Sequence, residues 1–229
     1  MRHPQSVVDA SAVLAADVVV GPGAVIEADA RLAEQVVVEA CAYVGPRVTV
    51  GPRSRVAAGA ILLEDTVVGA DCLIEAGAVV GCRGFGYVED GGQHLPIPQV
   101  GRVVLEDGVT IGAGSCLDRA TTGETRIGEQ SRLGSLVQVA HNVRLGRQVQ
   151  VGSHCGLAGS GSIGDRSRLG HMVGTIGHTE LGEECQVEDF AGVTRTKVPA
   201  GSCLAGFPAR AKSELEEIQR ALSELGGRK

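Results

Sequence analysis

The stretch Val20-Gly-Pro-Gly-Ala-Val-Ile26-Glu-Ala-Asp-Ala-Arg-Leu32-Ala-Glu-Gln-Val-Val-Val38 sets one aliphatic at every sixth position. The spacing extends back through Leu14 to Val8 and forward through Val44, Val50, Val56, Leu62, Val68 and Ile74 to Val80 without a miss. A period of six matches neither the ~3.6-residue turn of a helix nor the alternation of a long strand. It matches a short strand, a turn, and a short strand again. Three such faces close a triangular coil of about 18 residues, and coils stacked at the ~4.8 Å strand spacing bond only to their neighbours. The phase breaks over Gly81–Arg102, a segment rich enough in Gly and Pro to be read as a loop rather than a strand. It resumes at Leu105, Ile111 and Leu117, pauses for a short insertion near Arg119–Glu124, and then runs from Ile127 to Val193 with Thr175 as its one polar member.

Composition agrees with a narrow, layered interior. Aromatics make up 2% of the chain and Trp is absent, so Val, Ile, Leu and Ala must fill the core. The net charge of −6 argues against a broad nucleic-acid footprint. No apolar run reaches the ~18 residues of a membrane span. Met1–Gln5 leads straight into the first repeat with no visible signal peptide, so the cytoplasm is the expected compartment. Of the seven cysteines none forms a CxxC pair, and Cys72, Cys155 and Cys185 fall where other repeats carry small residues, as buried packing groups would. Gly, Asn and Asp are expected at corners that need φ > 0. Gly159–Gly164 has the GxGxxG form, but no strand-to-helix unit surrounds it, so it reads as two repeat corners.

These features predict a solenoid over residues 1–200, a parallel β-helix of hexapeptide repeats with insertions at about 81–103 and 119–125. A C-terminal extension over 201–229 follows. Leu215, Ile218, Leu222 and Leu225 lie at helical spacing within it and predict one amphipathic α-helix over about 209–225, available to cap the open end or to pack on another copy.

Four motifs appear in order: Gly84-Phe-Gly-Tyr87, Ile97-Pro-Gln-Val-Gly-Arg102, Leu117-Asp-Arg119 and Gln138-Val-Ala-His-Asn-Val143. Over roughly residues 4–212 the chain resembles the UDP-3-O-acylglucosamine N-acyltransferases of lipid A synthesis. The resemblance implies a left-handed β-helix, a departure from the usual right-handed crossover, and a homotrimer. It implies an acyl donor carried on phosphopantetheine by acyl carrier protein, and a nucleotide-sugar acceptor. Members of that family carry an α/β domain ahead of the helix that helps hold the acceptor's uracil; the present chain starts at the helix, so that domain is expected to be missing.

N-acyl transfer needs a base for the amine proton and a donor for the developing oxyanion, which a His and a backbone N–H in a Gly-lined corner can supply. Six histidines compete for the base. His141 lies two residues beyond core Val139, and His178 follows 37 residues later, two coils plus one, so both belong to one edge. His154 and His171 project from other edges. In a trimer such an edge would face a neighbour and form a cleft. The resemblance implies that His141 is the general base, His178 a second site histidine and Gly159 the oxyanion donor. Asn142, Gln138, Phe85, Tyr87, Asp118 and Arg119 are candidates for substrate contact. The plainer alternatives are a φ > 0 corner for Asn142, a packing loop for the aromatics and a salt bridge for Asp118 and Arg119. Arg195, Lys197, Arg210 and Lys212 form a local basic bias that could steer an acidic carrier. No resident cofactor or metal is expected. Three rival readings remain: an acetyl-CoA-dependent N-acetyltransferase on another nucleotide sugar, a zinc lyase like the γ-carbonic anhydrases with Glu183 near the position of a third ligand, and a silent scaffold.

Overall fold

The computed structural model describes residues 1–226. Among the described residues three sheets of ten, ten and eleven strands, parallel except for the last pair of the third, form the faces of one solenoid. Each coil gives one short strand to each face, most of them of two residues, as in Val19–Val20, Val25–Ile26 and Arg31–Leu32. The register is eighteen residues through most of the solenoid, pairing Val20 with Val38 and Val38 with Val56. It is seventeen at the end, where the corner after Val193 is one residue shorter and Leu181 pairs with Val198 and Val187 with Leu204. The second residue of each strand points inward. Ile26, Leu62, Ile74, Ile111, Leu117 and Ile127 are at most 1% exposed, forming one continuous column. Cys72, Cys155 and Cys185 are buried within it. Thr175 keeps its inward position, and its hydroxyl accepts the Ala158 N–H at 3.1 Å.

The corners meet the expectation only in part. Gly23, Gly59, Gly77, Gly108, Gly114 and Gly201 hold a left-handed backbone, as do Asp29, Asp65, Asp71 and Asn142. Among the described residues eighteen other than Gly do so, and many are Gln, Arg, Leu, Met or Phe. The third residue of the corner adopts it. Its N–H donates to the carbonyl one coil back, as Met172 does to Ser153 and His154 to Ser135, and these rungs hold a conformation such residues resist alone. Other glycines serve close approach. A Cβ on Gly152 would lie 2.5 Å from the carbonyl carbon of Gly170 in the next coil.

The first interruption is not the loop its composition suggested. Tyr87–Asp90 and Gln93–Pro96 pair antiparallel as a projecting arm. Gly91 and Gly92, both with φ > 0, form its two-residue turn. The second interruption lies between Cys116–Asp118 and Glu124–Ile127. The coils run on past residue 200 to Cys203–Ala205. Arg210–Ala211 then pairs antiparallel on that last strand, which delays the helix to Lys212–Gly226. The helix buries none of its residues and leaves Ile218, Leu222 and Leu225 exposed. Residues 227–229 of the expected extension lie outside the described residues. No helix among the described residues is long and apolar enough to cross a membrane.

Each layer depends on one side chain per face, so truncating a central one leaves a cavity its neighbours cannot fill. Ile74→Ala is expected to lower the unfolding free energy by about 2–5 kcal/mol, read as a lower urea midpoint.

Candidate active site

His141 is the second residue of the corner that follows Gln138–Val139, and it is half-buried. Its ring lies across Gly159 in the next coil. A Cβ on Gly159 would fall 2.7 Å from His141 Nε2, so any other residue there would displace the ring. Ser160 N–H donates to the His141 carbonyl at 2.9 Å, and His178 N–H to the Gly159 carbonyl at 3.0 Å. Residues 141, 159 and 178 therefore follow one another up a single edge, with His178 exposed. His154 and His171 occupy a different corner, where His171 Nδ1 accepts the Ser153 N–H at 3.0 Å.

Both interruptions of the repeat fold onto this edge. Gly84, at the root of the arm, packs so closely that a Cβ would meet the His141 Cβ at 3.1 Å. The Thr121 hydroxyl donates to Gln99 Oε1 at 3.0 Å and lies 3.5 Å from His141 Nδ1. The Asn142 amide accepts the Thr121 N–H at 3.0 Å, donates to the Thr122 carbonyl at 2.9 Å, and places Oδ1 3.2 Å from His141 Nδ1. Asn142 also has φ 60°. It is thus a left-handed corner residue whose side chain is engaged by the second interruption. Gln99, Thr121 and Gly84 were not singled out from sequence. Gly84 and Gln99 belonged to the motifs quoted above, and the signal for Thr121 was membership of a segment where the period fails.

The backbone N–H of the second corner residue has a recurrent partner: the side chain eighteen residues on. Ser135 donates to Ser153 Oγ, Arg147 to Asp165 Oδ1, Ser153 to His171 Nδ1, and His171 to Asp189 Oδ1. At Gly159 the residue eighteen on is Gly177, which offers no side chain. No hydrogen-bond partner for the Gly159 N–H occurs among the described residues. A donor is therefore open on the edge that His141 Nε2 overlooks.

Asp118 and Arg119 point in different directions. Asp118 is 6% exposed. Burial raises its carboxyl above the usual range, while the neighbouring Gln138 amide and the His141 ring oppose that shift. Arg119 is turned inward: Nε donates to the Gly81 carbonyl at 3.0 Å, one terminal nitrogen to the Glu64 carbonyl at 2.7 Å, and the other pairs with the Glu64 carboxylate at 2.9 Å. These bonds place Arg119 as a clamp on the root of the arm instead of in the cleft. Cys82, in register with Asp118, has its thiol pushed up to about 12 by burial, so it offers no thiolate nucleophile at neutral pH.

Phe85 and Tyr87 stack edge-on with centroids 5.4 Å apart and stand exposed where the arm begins. Three of the four expected carrier contacts hold carboxylate partners: Lys197 with Glu180 at 3.9 Å, Arg210 with Glu214 at 2.7 Å, and Lys212 with Glu188 at 2.7 Å. Arg195 is exposed. A groove of about 740 Å³ lies on another face and is lined by Arg132, Gln150, Arg168 and His171. Among the described residues no three His, Cys, Asp or Glu side chains gather as a metal site requires.

Arg119→Met leaves two inward carbonyls and Glu64 without their donor. It is expected to cost about 2–4 kcal/mol, measured by urea denaturation. Asp118→Asn tests the buried carboxyl. A raised folded-state value means the folded protein holds the proton more tightly than the unfolded chain does. The parent therefore loses stability as pH rises from the usual carboxylate range through the raised value. The stability of Asp118→Asn relative to the parent should climb over that interval and then level off, read from denaturation midpoints across pH.

No protein-family model matches the chain. Curated relatives do. The UDP-3-O-acylglucosamine N-acyltransferase of Caulobacter sp. (strain K31) is 41% identical over 156 residues, and that of Caulobacter vibrioides (strain NA1000 / CB15N) is 53% identical over 156. Each alignment covers 68% of this chain and 46% of the relative, so the chain spans just under half the length of the curated relatives it matches. The matched span is also shorter than residues 4–212. Among solved structures, the Arabidopsis UDP-N-acetylglucosamine acyltransferase superposes with a TM-score of 0.83 over 96% of this chain and 77% of its own, at 20% identity. The Bacteroides fragilis UDP-N-acetylglucosamine acyltransferase gives 0.74 over 96% and 78%, at 18%. These neighbours share the fold, and a solenoid of opposite hand would not superpose along its length, so the coil is left-handed. The chain is a left-handed β-helix of the hexapeptide acyltransferase type, related in sequence over 156 residues to the UDP-3-O-acylglucosamine N-acyltransferases.

Proposed function

We propose that this chain is the catalytic β-helix of an N-acyltransferase of lipid A synthesis. It moves a 3-hydroxyacyl group from the phosphopantetheine thioester of acyl carrier protein to the amine of a UDP-amino-sugar. One observation carries the reading: His141 holds Nε2 across Gly159, whose own N–H has no partner among the described residues. The names of the curated relatives support the acceptor class.

The acceptor amine attacks the thioester carbonyl and forms the C–N bond while His141 Nε2 takes its proton. The carbonyl electron pair moves onto oxygen, where the Gly159 N–H donates to it. When the carbonyl re-forms, the C–S bond breaks and the thiolate leaves, taking the proton back from His141. His178 contacts substrate two coils beyond His141. Gln138, Asp118 and the aromatic pair of Phe85 and Tyr87 border the acceptor, and the exposed Arg195, with Lys197, Arg210 and Lys212, meets the acidic carrier. The edge is completed by a neighbouring copy in a homotrimer. The zinc-lyase alternative fits poorly, since Glu183 stands at a different corner and is ion-paired with Arg166 at 2.9 Å.

A transfer assay read by mass spectrometry tests this, offering hydroxyacyl carrier protein and acetyl-CoA against several amino-sugar nucleotides. His141→Ala is expected to lower kcat by about 10²–10⁴-fold with the fold retained. Gly177→Ser offers a second check. A Cβ there meets nothing closer than the Gly159 carbonyl at 3.6 Å, and the added hydroxyl supplies the kind of acceptor that Ser135, Arg147, Ser153 and His171 have. It is expected to approach the ~10²–10³-fold loss that follows removal of one oxyanion donor. Equal turnover by parent and His141→Ala would sink the reading; turnover with acetyl-CoA alone would reassign the donor.

A further inference from the structure

The environment of His141 Nδ1 determines where the ring carries its proton. The Asn142 amide cannot be flipped: its oxygen faces the Thr121 N–H at 3.0 Å and its nitrogen the Thr122 carbonyl at 2.9 Å, and both backbone partners have fixed roles. The atom 3.2 Å from His141 Nδ1 is therefore an oxygen that can only accept. The Thr121 hydroxyl, 3.5 Å from the same nitrogen, directs its single proton to Gln99 Oε1. Gln99 is oriented in turn because its amide nitrogen donates to the Ile97 carbonyl at 3.2 Å. Both neighbours of Nδ1 are acceptors, and Asn142 Oδ1 has two lone pairs for its two donors.

We propose that Asn142 is a positioning residue that holds neutral His141 in the tautomer protonated on Nδ1, so that the unprotonated Nε2 stands over Gly159. Histidine free in water prefers the opposite tautomer, so without Asn142 the ring would present a proton where the base needs a lone pair. The two interruptions of the repeat thus set the protonation pattern of a side chain that belongs to neither. For its effect on rate, the inference rests on the acyltransferase reading; the tautomer itself does not.

The test is a long-range ¹H–¹⁵N correlation spectrum of the full chain with labelled histidine, the His141 signals being assigned by their loss in His141→Gln. The parent is expected to show a protonated Nδ1 and a bare Nε2. Asn142→Gly keeps the left-handed corner, removes the acceptor, and is expected to shift His141 toward Nε2–H. Its kcat should fall roughly 10- to 100-fold, part of what a general base supplies, with KM little changed. Asn142→Asp retains an acceptor, so it should keep the Nδ1–H form and a kcat above that of the Gly variant. A parent ring protonated on Nε2 would overturn the proposal, and this needs no variant to fold. So would an unchanged tautomer in Asn142→Gly. Absence of acyl transfer from a parent with Nδ1–H intact would refute the function while leaving this assignment standing.

Discussion

Stacking each coil on the next in fixed register, eighteen residues apart through most of the solenoid, is the constraint from which the other features follow. The backbone rungs between coils allow no sliding, because a shift of one residue would turn the inward column out to solvent. The same offset fixes which side chains become neighbours at the corners. It brings Gly159 beneath the His141 ring and Gly177 beside Gly159. It also lets residues as unsuited to a left-handed backbone as Leu136, Met172 and Phe190 occupy one, since the rung made by the corner N–H offsets the strain.

A perfect repeat has no unique place. The two interruptions create one by breaking the equivalence of the coils at a single edge. The arm and the second insertion leave the solenoid at different points and meet over His141, joined by the Thr121–Gln99 hydrogen bond. Arg119 holds the root of the arm from inside, with three bonds to Gly81 and Glu64. Asp118 beside it contributes a buried carboxyl on the site side. Asp118 at the end of its strand and Arg119 just beyond it thus turn to different surroundings.

The architecture was legible in the sequence because burial leaves a periodic trace. Val8 to Val80 and Ile127 to Val193 mark the inward residue of each strand, while a second inward set two residues earlier, such as Val36, Val48 and Val149, repeats with the same period. The edge shared by His141 and His178 followed from counting alone. The arm was missed because Gly and Pro content was weighed over the Gly91-Gly92 pair, whose φ > 0 turn joins two short strands. Arg119 was read as either a substrate contact or a salt bridge, because spacing cannot tell which way a side chain turns at an irregular strand end; its side chain pairs with Glu64. Gln99 and Thr121 left no periodic trace, for their meeting depends on how two aperiodic segments fold over a third. Asn142 was read as either a substrate contact or a corner residue; its hydrogen bonds give it a third position, between the insertion and the histidine.

The fixed offset also governs how such a chain can change length. Removing or adding one residue within a strand would rotate every later side chain to the wrong face, whereas a whole eighteen-residue coil could be gained or lost away from the His141 edge with the remaining contacts intact. Additions at a corner, as with Tyr87–Pro96, leave the count on either side undisturbed. For this molecule, gene-level insertions and deletions are therefore filtered by arithmetic before they are filtered by chemistry.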